Sequence, residues 1–207
     1  MEMILELLKE KKYHQAVIGV QKYLKTNSKK TYLKNMKRFA IENKNAIGTP
    51  TPYIRKISKI IIKFGKEHPD EALKFCRILW KANIYENKKI VSFVLGSLAK
   101  SKSNEIIPML RKMLSESKDW SICDSLSGDV VRYLLEVCTN EVLSEFRKWV
   151  NDENLWVRRG LAASVAYYSI THKNGFRKEF NELLEKMRRD KEYYVRKAVE
   201  WAYREMK

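Results

Sequence analysis

The chain has 207 residues, with 42 Lys and Arg against 25 Asp and Glu, so its formal net charge at pH 7 is +17. This length is enough for one domain with a substantial core. The 3 cysteines form no CxxC pair and the 3 histidines are scattered, which argues against a disulfide framework or a zinc site. The first residues lack a signal-peptide pattern, and no apolar run approaches the length of a membrane span. We therefore expect a cytoplasmic protein without a membrane segment, a metal or another cofactor.

The positive charge is concentrated at the start of the chain. Residues 1–66 contain 16 Lys and Arg but only 4 Asp and Glu. A basic N-terminal third indicates a polyanionic partner with one favoured contact region. Nucleic acid is the commonest such partner, and its affinity for a basic protein falls steeply as salt rises. The alternative is a lysine-rich surface of the kind found in proteins from AT-rich or heat-adapted genomes.

Apolar residues recur at positions i, i+3, i+4 and i+7 along nearly the whole chain, and the alternation typical of strands is missing. Helix start signals predict helices over residues 53–64, 72–80, 142–150 and 155–169. Thr51-Pro52 is expected to cap the first of these and to place a proline at its first position. Residues 43–51 form the predicted exposed loop. No linker is long enough to divide the chain, so we expect one domain over residues 1–207.

One segment near the end of the chain is present twice. Residues 152–161 (DENLWVRRGL) return as residues 190–199 (DKEYYVRKAV), at an offset of 38 positions, and residues 53–57 (YIRKI) form a weaker copy. A period near 40 with this content is typical of HEAT-like repeats. We therefore predict an all-α fold, a right-handed α-solenoid of HEAT-like antiparallel helical pairs in a single domain. Its repeated basic residues would line one concave face.

The stretch Trp120-Ser-Ile-Cys-Asp124 combines an aromatic and an acid at a predicted helix start, with Asp119 as the expected N-cap. The spacing i, i+4 places the indole and the carboxylate on one helix face. The two strong repeats add Arg159 and Trp201. In a solenoid, these three helices can line a single surface that carries aromatics, cations and one acid.

Five stretches carry a resemblance to a known family: residues 36–41 (MKRFAI), 46–59 (AIGTPTPYIRKISK), 119–124 (DWSICD), 155–159 (LWVRR) and 194–205 (YVRKAVEWAYRE). In this order they resemble the AlkC/AlkD family of DNA alkylation-repair proteins, from about residue 36 to the last residue. Each stretch is only moderately specific, because the xVRxxA pattern belongs to HEAT repeats generally. Their joint order is much more specific.

The resemblance implies an all-helical DNA glycosylase that excises cationic N3- or N7-alkylated purines from double-stranded DNA without a metal. It also implies that the damaged base is not flipped into a pocket, unlike the usual glycosylase strategy. Matching the motifs residue by residue makes Asp124 the catalytic carboxylate and Arg159 its basic neighbour. Trp120 and Trp201 would face the backbone of the lesion. We expect a monomer associated with the nucleoid.

The predicted DNA contacts are basic residues in or near these stretches: Lys34, Arg38, Arg55, Lys56, Arg158, Arg196 and Lys197. Several of them are equally consistent with solvated helix faces. Arg158 and Arg159 point about 100° apart on a helix, so one of them is expected to make an internal ion pair, for example with Asp152. The motif match assigns Arg159 to the site and leaves Arg158 for phosphate or for structure.

Three other tryptophans have a plainer interpretation. Trp80 and Trp149 lie in apolar patterns and are predicted to belong to the core, and Trp156 is predicted to pack because Tyr194 holds the same slot in the next repeat. Two other functions also fit the sequence. One is a non-catalytic HEAT-repeat protein that binds distorted or branched DNA, and the other is a protein-interaction scaffold.

Overall fold

The computed structural model describes residues 1–36, 45–173 and 175–207, and all regular structure within these ranges is helical. The prediction of an all-α protein is therefore confirmed for the described part of the chain. The chain folds as two compact units, residues 1–102 and 103–207. The single domain, the right-handed solenoid and the concave basic face stay predictions.

The first unit is built from six helical segments with short connections. They are α1 (Glu2–Lys9), α2 (Tyr13–Thr26), α3 (Lys30–Met36), α4 (Thr51–Glu67), α5 (Pro69–Lys81) and the first part of α6 (Tyr85–Ser115). The backbone of α6 leaves helical geometry at Lys102, where φ is −134° and ψ is 23°. This interruption coincides with the boundary between the two units.

Helix α4 shows how the apolar periodicity becomes a core. Ile54, Ile57, Ile61 and Phe64 follow the 3–4–3 spacing of one helix face, and all four are buried. Burying each such side chain stabilises the fold by about 1.5–3 kcal/mol. The expected cap at Thr51 is wrong, because Pro50 takes the N-cap position and Thr51 is the first helical residue.

The predicted loop is largely non-helical but only partly exposed. Gly48 and Thr49 are buried, so exposure was wrongly expected for them. The buried Glu86 carboxylate accepts hydrogen bonds from the backbone N–H groups of Ile47 (2.9 and 3.1 Å), Gly48 (2.7 Å) and Thr49 (3.1 Å). A loop whose amides converge on one carboxylate is fixed in place ahead of α4. Residues 43 and 44 of the predicted loop lie outside the described residues.

The second unit holds the remaining helices. They are the end of α6, α7 (Trp120–Leu126), a π-helical turn (Ser127–Val131), α8 (Arg132–Val137), α9 (Thr139–Trp149), α10 (Leu155–Thr171), α11 (Arg177–Met187) and α12 (Tyr193–Glu205). Helix α10 is buried along most of its length and packs against α12, α7 and the π-helical turn. The predicted helices over 142–150 and 155–169 correspond to α9 and α10. Trp149 of α9 is buried as predicted, and so is Trp80 of α5 in the first unit.

The sequence repeat is also a structural repeat within this unit. Asp152 Oδ1 accepts the N–H of Asn154, and Asp190 Oδ1 accepts the N–H of Glu192, each at 2.9 Å. In the first copy, Arg158 Nη1 donates to the carbonyls of residues 152 and 153 at 2.6 and 3.0 Å. In the second, Arg196 Nη1 donates to those of residues 190 and 191 at 2.7 and 2.9 Å. Each Asp–Arg pair therefore closes the turn that precedes a helix in the same way.

Candidate functional site

Helix α7 carries the first two candidate residues. The Asp119 side chain accepts the N–H of Ile122 at 2.9 Å from an extended backbone, which confirms the predicted N-cap. Asp119 is buried by this role, Trp120 is half-buried, and Asp124 follows Trp120 by one helical turn. The cap thus fixes where the helix begins and which face the indole and the carboxylate share.

Asp124 is held by Arg159 of α10 in a two-bond ion pair. Arg159 Nε donates to Asp124 Oδ1 at 3.0 Å, and Nη2 donates to Oδ2 at 2.8 Å. The two residues retain only 9% and 7% exposure, so the pair is largely shielded from solvent without being sealed from it. Burial opposes the charge of Arg159, but the charge and hydrogen bonds of Asp124 outweigh burial and raise the pKa of the guanidinium. Arg159 is therefore a permanent cation beside Asp124.

The same guanidinium reaches a third helix. Arg159 Nη1 donates to the backbone carbonyl of Tyr194 in α12 at 2.7 Å. The ring of Tyr194 lies 5.5 Å from that of Trp156, its counterpart in the preceding repeat. Trp156 is half-buried and packs as predicted. One arginine thus connects α7, α10 and α12, and it leaves the Asp124 carboxylate little freedom to turn.

Trp201 joins this group through an aromatic neighbour that the sequence analysis missed. Tyr167 of α10 lies edge-on to Trp201 of α12, with ring centroids 4.8 Å apart and planes at 80°. The indole Nε1 of Trp201 donates to Glu205 Oε1 at 3.2 Å. Burial raises the pKa of Tyr167 to about 12, and the nearby Asp124 charge adds to the rise. Tyr167 therefore contacts Trp201, feels the charge of Asp124 and stays a neutral phenol at ordinary pH.

The position of Tyr167 had a signal in the sequence. It follows Arg159 by eight residues, which brings it near the same face of an α-helix. The π-helical turn against which the Tyr167 ring packs had no such signal in the sequence. A Cβ atom at Gly128 in that turn would lie 3.0 Å from three ring atoms of Tyr167, so the ring rests directly on glycine backbone. π-helical turns inside α-helices occur frequently at functional sites.

Arg158 is placed differently from the sequence expectation. Its Nε and Nη2 atoms donate to Asp190 at 2.6 and 3.0 Å, and its Nη1 atom donates to backbone carbonyls. The expectation that one of the two arginines makes an internal ion pair is confirmed, but the example partner was wrong: Arg158 pairs with Asp190, and its hydrogen bond to Asp152 goes to the backbone carbonyl. Arg158 is 6% exposed, so its guanidinium serves the fold here, and the geometry does not favour the predicted phosphate contact.

The other predicted DNA contacts of the second unit are more accessible. Arg196 is half-buried, with Nη1 on the carbonyls of its own repeat turn. Lys197 is exposed, lies 5.7 Å from the ring centroid of Tyr193 and pairs with Glu200 at 3.4 Å. Both positions are compatible with contact to a polyanion.

In the first unit, Lys34, Arg55 and Lys56 have exposed side chains. The Arg55 guanidinium lies 4.7 Å from the centroid of the Phe93 ring, which restricts its motion without neutralising its charge. Arg38 lies outside the described residues. The DNA-binding role of all these side chains stays a prediction.

Two observations bear on other classes of site. Among residues 1–36, 45–173 and 175–207, no group of three or more His, Cys, Asp or Glu side chains is arranged to hold a metal ion. In the same ranges, no helix has both the length and the apolar character needed to cross a membrane.

The fold and the site define an all-helical, basic protein with a carboxylate–guanidinium pair beside half-buried aromatic side chains. Residues 20–207 match the model of a family described as DNA alkylation repair enzyme. The chain belongs to this DNA alkylation repair enzyme family, the AlkC/AlkD-like proteins. A search of curated proteins returned no match.

Proposed function

We propose that the chain is a DNA glycosylase that hydrolyses the N-glycosidic bond of cationic N3- or N7-alkylated purines in duplex DNA. The observation that carries this proposal is the Asp124–Arg159 pair, with bonds of 3.0 and 2.8 Å, beside Tyr167 and Trp201. Family membership supports DNA as the substrate. Asp124 is the catalytic carboxylate, Arg159 orients it, and Trp120 and Trp201 flank the lesion.

The chemistry needs little from the protein because the substrate already carries a positive charge. The bond between the sugar C1′ atom and the purine nitrogen breaks, and its electron pair leaves with the base, which becomes neutral. Positive charge develops on the sugar, where the Asp124 carboxylate stabilises it. A water held by the carboxylate then bonds to C1′ and loses a proton to solvent.

The contribution of Asp124 can be bounded from Coulomb's law. A carboxylate about 4 Å from a unit positive charge stabilises it by roughly 4 kcal/mol at an effective dielectric of about 20. Arg159 opposes this effect from a greater distance, so the intact pair delivers less than an isolated carboxylate. Removing only the carboxylate charge still removes the full contribution of roughly 4 kcal/mol, on the order of a thousandfold in rate.

A second candidate function is DNA binding without catalysis, as for a HEAT-repeat protein that recognises distorted or branched DNA. One observation favours it: both Asp124 oxygens accept bonds from Arg159, and the residue is only 9% exposed. A pair of this kind also occurs purely as a structural element. A glycosylase releases free base from alkylated DNA, and a protein that only binds DNA does not.

The test is incubation of the protein with methylated duplex DNA, followed by chromatography for 3-methyladenine and 7-methylguanine. We expect release by the wild type and a loss of about a thousandfold in single-turnover rate for Asp124→Asn. The matched control is Asp190→Asn, which also removes a carboxylate from a buried two-bond arginine pair. This variant should release base at close to the wild-type rate under conditions where both variants are folded.

No release by the wild type, combined with salt-sensitive duplex binding, would assign the second candidate function. Equal release by the wild type and Asp124→Asn would remove Asp124 from the mechanism. Equal losses in Asp124→Asn and Asp190→Asn would mean that the pair acts through folding alone.

A further inference from the structure

The ring of Tyr167 in α10 is held by two contacts. It rests on the backbone of Gly128, where an added Cβ atom would lie 3.0 Å from three of the ring atoms. It also meets the ring of Trp201 edge-on, with centroids 4.8 Å apart. These contacts fix the aromatic part of the side chain and leave its hydroxyl as the polar end.

The Tyr167 hydroxyl makes no hydrogen bond with any residue in the ranges 1–36, 45–173 and 175–207. It also reaches solvent, because the sealed side-chain nitrogens and oxygens that lack a partner in these ranges belong to Asn87 and Trp149. The residue as a whole is half-buried. The candidate site therefore holds an accessible, unused hydroxyl on a fixed aromatic ring.

This hydroxyl keeps its proton because of its surroundings. Burial raises the pKa of Tyr167 to about 12, and the charges of Asp124 and Asp129 add to the rise, while Arg159 opposes it. Both Asp124 oxygens accept bonds from Arg159, at 3.0 and 2.8 Å, so another donor already orients that carboxylate. The proton of the phenol is therefore available to an acceptor from outside the chain.

Two other tyrosines near carboxylates use their hydroxyls within the chain. Tyr13 donates to Glu71, and Tyr203 donates to Glu185 at 2.7 Å. Tyr167 differs from both, although carboxylates lie close enough for their charges to act on it. Its unused donor is thus a specific feature of the candidate site and not a general property of the tyrosines of this chain.

Building on the glycosylase function proposed above, we propose that the Tyr167 hydroxyl donates a hydrogen bond to a backbone phosphate next to the alkylated nucleotide. Phosphate oxygens receive most of the hydrogen bonds that proteins make to DNA, and tyrosine hydroxyls are among the donors. Trp201, which contacts the Tyr167 ring, flanks the lesion in the same function. The bond to phosphate therefore positions the damaged nucleotide against Trp201.

An uncharged donor is well suited to this position. Positive charge develops on the sugar as its bond to the base breaks, and a cationic side chain beside the sugar would oppose that development. Tyr167 gives the phosphate a hydrogen bond without adding such a charge. Its proton stays on the oxygen at ordinary pH, so the donor is present whenever DNA is bound.

The first test is a binding measurement that does not require base release. A fluorescent duplex with a tetrahydrofuran abasic-site analogue at its centre is titrated with the full chain, and anisotropy gives the dissociation constant. Tyr167→Phe keeps the ring on Gly128 and removes only the hydroxyl, so binding should weaken about tenfold. Thermal melts establish that the variant is folded.

The matched control is Tyr168→Phe, which removes a hydroxyl from the adjacent position of α10. Successive residues point about 100° apart on a helix. The Tyr168 ring stacks on His172 and lies edge-on to Phe180, so it belongs to a different cluster from Trp201. This variant should bind the duplex like the wild type.

Methylphosphonate substitution identifies the acceptor. It replaces one non-bridging oxygen of a single phosphate with a methyl group, and it is placed in turn on either side of the abasic analogue. At one of these positions the wild type should lose about tenfold in affinity, while Tyr167→Phe should lose clearly less because its hydroxyl is already absent. A purely structural role for Tyr167 would give the two proteins equal losses at both positions.

Base release from methylated duplex separates binding from chemistry. In single turnovers with protein in excess, Tyr167→Phe should need about tenfold more protein to reach half of its maximal rate. The maximal rate itself should stay within about threefold of the wild-type value, because the hydroxyl acts on binding.

Three results would overturn the proposal. One is an unchanged affinity of Tyr167→Phe for the abasic duplex, and another is equal losses of both proteins at both methylphosphonate positions. The third is a slower maximal rate of Tyr167→Phe at unchanged affinity, which would assign the hydroxyl to the attacking water. Absence of base release by the wild type, with the methylphosphonate coupling present, would refute the glycosylase function and support the phosphate contact.

Discussion

Asp124 and Asp190 are each held by two hydrogen bonds from one arginine, although the two arginines are adjacent in sequence. Arg159 donates to Asp124 at 3.0 and 2.8 Å, and Arg158 donates to Asp190 at 2.6 and 3.0 Å. Neighbouring positions on α10 therefore direct one guanidinium to α7 and the other to the turn before α12. The similarity of the pairs makes each a control for the other.

Replacing Arg159 with Gln should destabilise the fold by about 3–5 kcal/mol, because it leaves a buried carboxylate without its partner. The double variant Arg159→Gln/Asp124→Asn should recover part of this loss, since neither charge remains. Urea unfolding of the wild type, both single variants and the double variant measures the coupling. Additive losses would show that the two side chains do not stabilise one another.

The Arg158–Asp190 pair should make stability depend on pH in the acid range. Burial alone would raise the pKa of Asp190, but the hydrogen bond and charge of Arg158 and the Glu192 N–H outweigh it, so the pKa lies below its ordinary value of 3.8. The carboxylate is deprotonated more readily in the folded state than in the unfolded state. Its stabilisation is therefore complete above the unfolded value and is lost as pH falls through the folded pKa.

Asp190→Asn should consequently have a lower melting temperature than the wild type near neutral pH. The difference should shrink below pH 3.8, where the wild-type carboxylate takes up a proton. Melting curves from about pH 7 to about pH 2.5 test this expectation. A difference that is constant across the range would show that the loss comes from packing and not from the charge.

Local features of the fold were predictable from sequence, whereas long-range partners were not. The Asp119 cap and the start of α10 at Leu155 follow from residues within one turn of each other, whereas α9 begins at Thr139, three residues before its predicted start. The partner of Arg158 is 32 residues away, and an equally acidic residue, Asp152, lies closer in sequence. Only the packing of α12 on α10 selects Asp190, so spacing along the chain could not identify it.

The candidate site also combines features that the sequence predicted with long-range contacts that it did not. The pairing of Asp124 with Arg159 was reached only through the family resemblance, since nothing in either local pattern joins α7 to α10. Tyr167 was missed because its part depends on Gly128 and the π-helical turn, whose extra residue has no sequence signal. The carboxylate that orders residues 47–49 belongs to Glu86, nearly 40 positions later, and was equally invisible.

Gly128→Ala should disturb the candidate site through the Tyr167 ring, which packs on Gly128. The added Cβ would lie 3.0 Å from three atoms of the Tyr167 ring, so the ring, which also contacts Trp201, must shift away from the π-helical turn. We expect a loss of about 1–3 kcal/mol in the free energy of unfolding and slower base release. Combining it with Tyr167→Leu, which shortens the side chain, should recover stability. No recovery in the double variant would place the strain elsewhere.

Gly48→Ala should destabilise the first unit without touching the candidate site. Gly48 has φ of +88°, and a Cβ there would lie 2.7 Å from Leu33 Cβ, so the substitution adds backbone strain to a steric clash. We expect a loss of more than about 1 kcal/mol in the free energy of unfolding. Glu86→Gln, which weakens the bonds to the same loop, should act in the same direction. Urea unfolding measures both, and an unchanged midpoint for either would contradict the role assigned to the loop.

Duplex DNA binding should depend on salt in proportion to the number of phosphate contacts. Each contact contributes about 0.9 to the slope of log affinity against log salt concentration. Lys34→Gln, Arg55→Gln and Lys56→Gln, which remove exposed cations of the basic N-terminal third, should each reduce the slope by about this amount. Lys186→Gln removes an exposed cation from α11 and serves as the control, with an unchanged slope expected. Equal slopes for all four variants and the wild type would show that these three cations lie outside the DNA contact, whatever the catalytic activity of the protein.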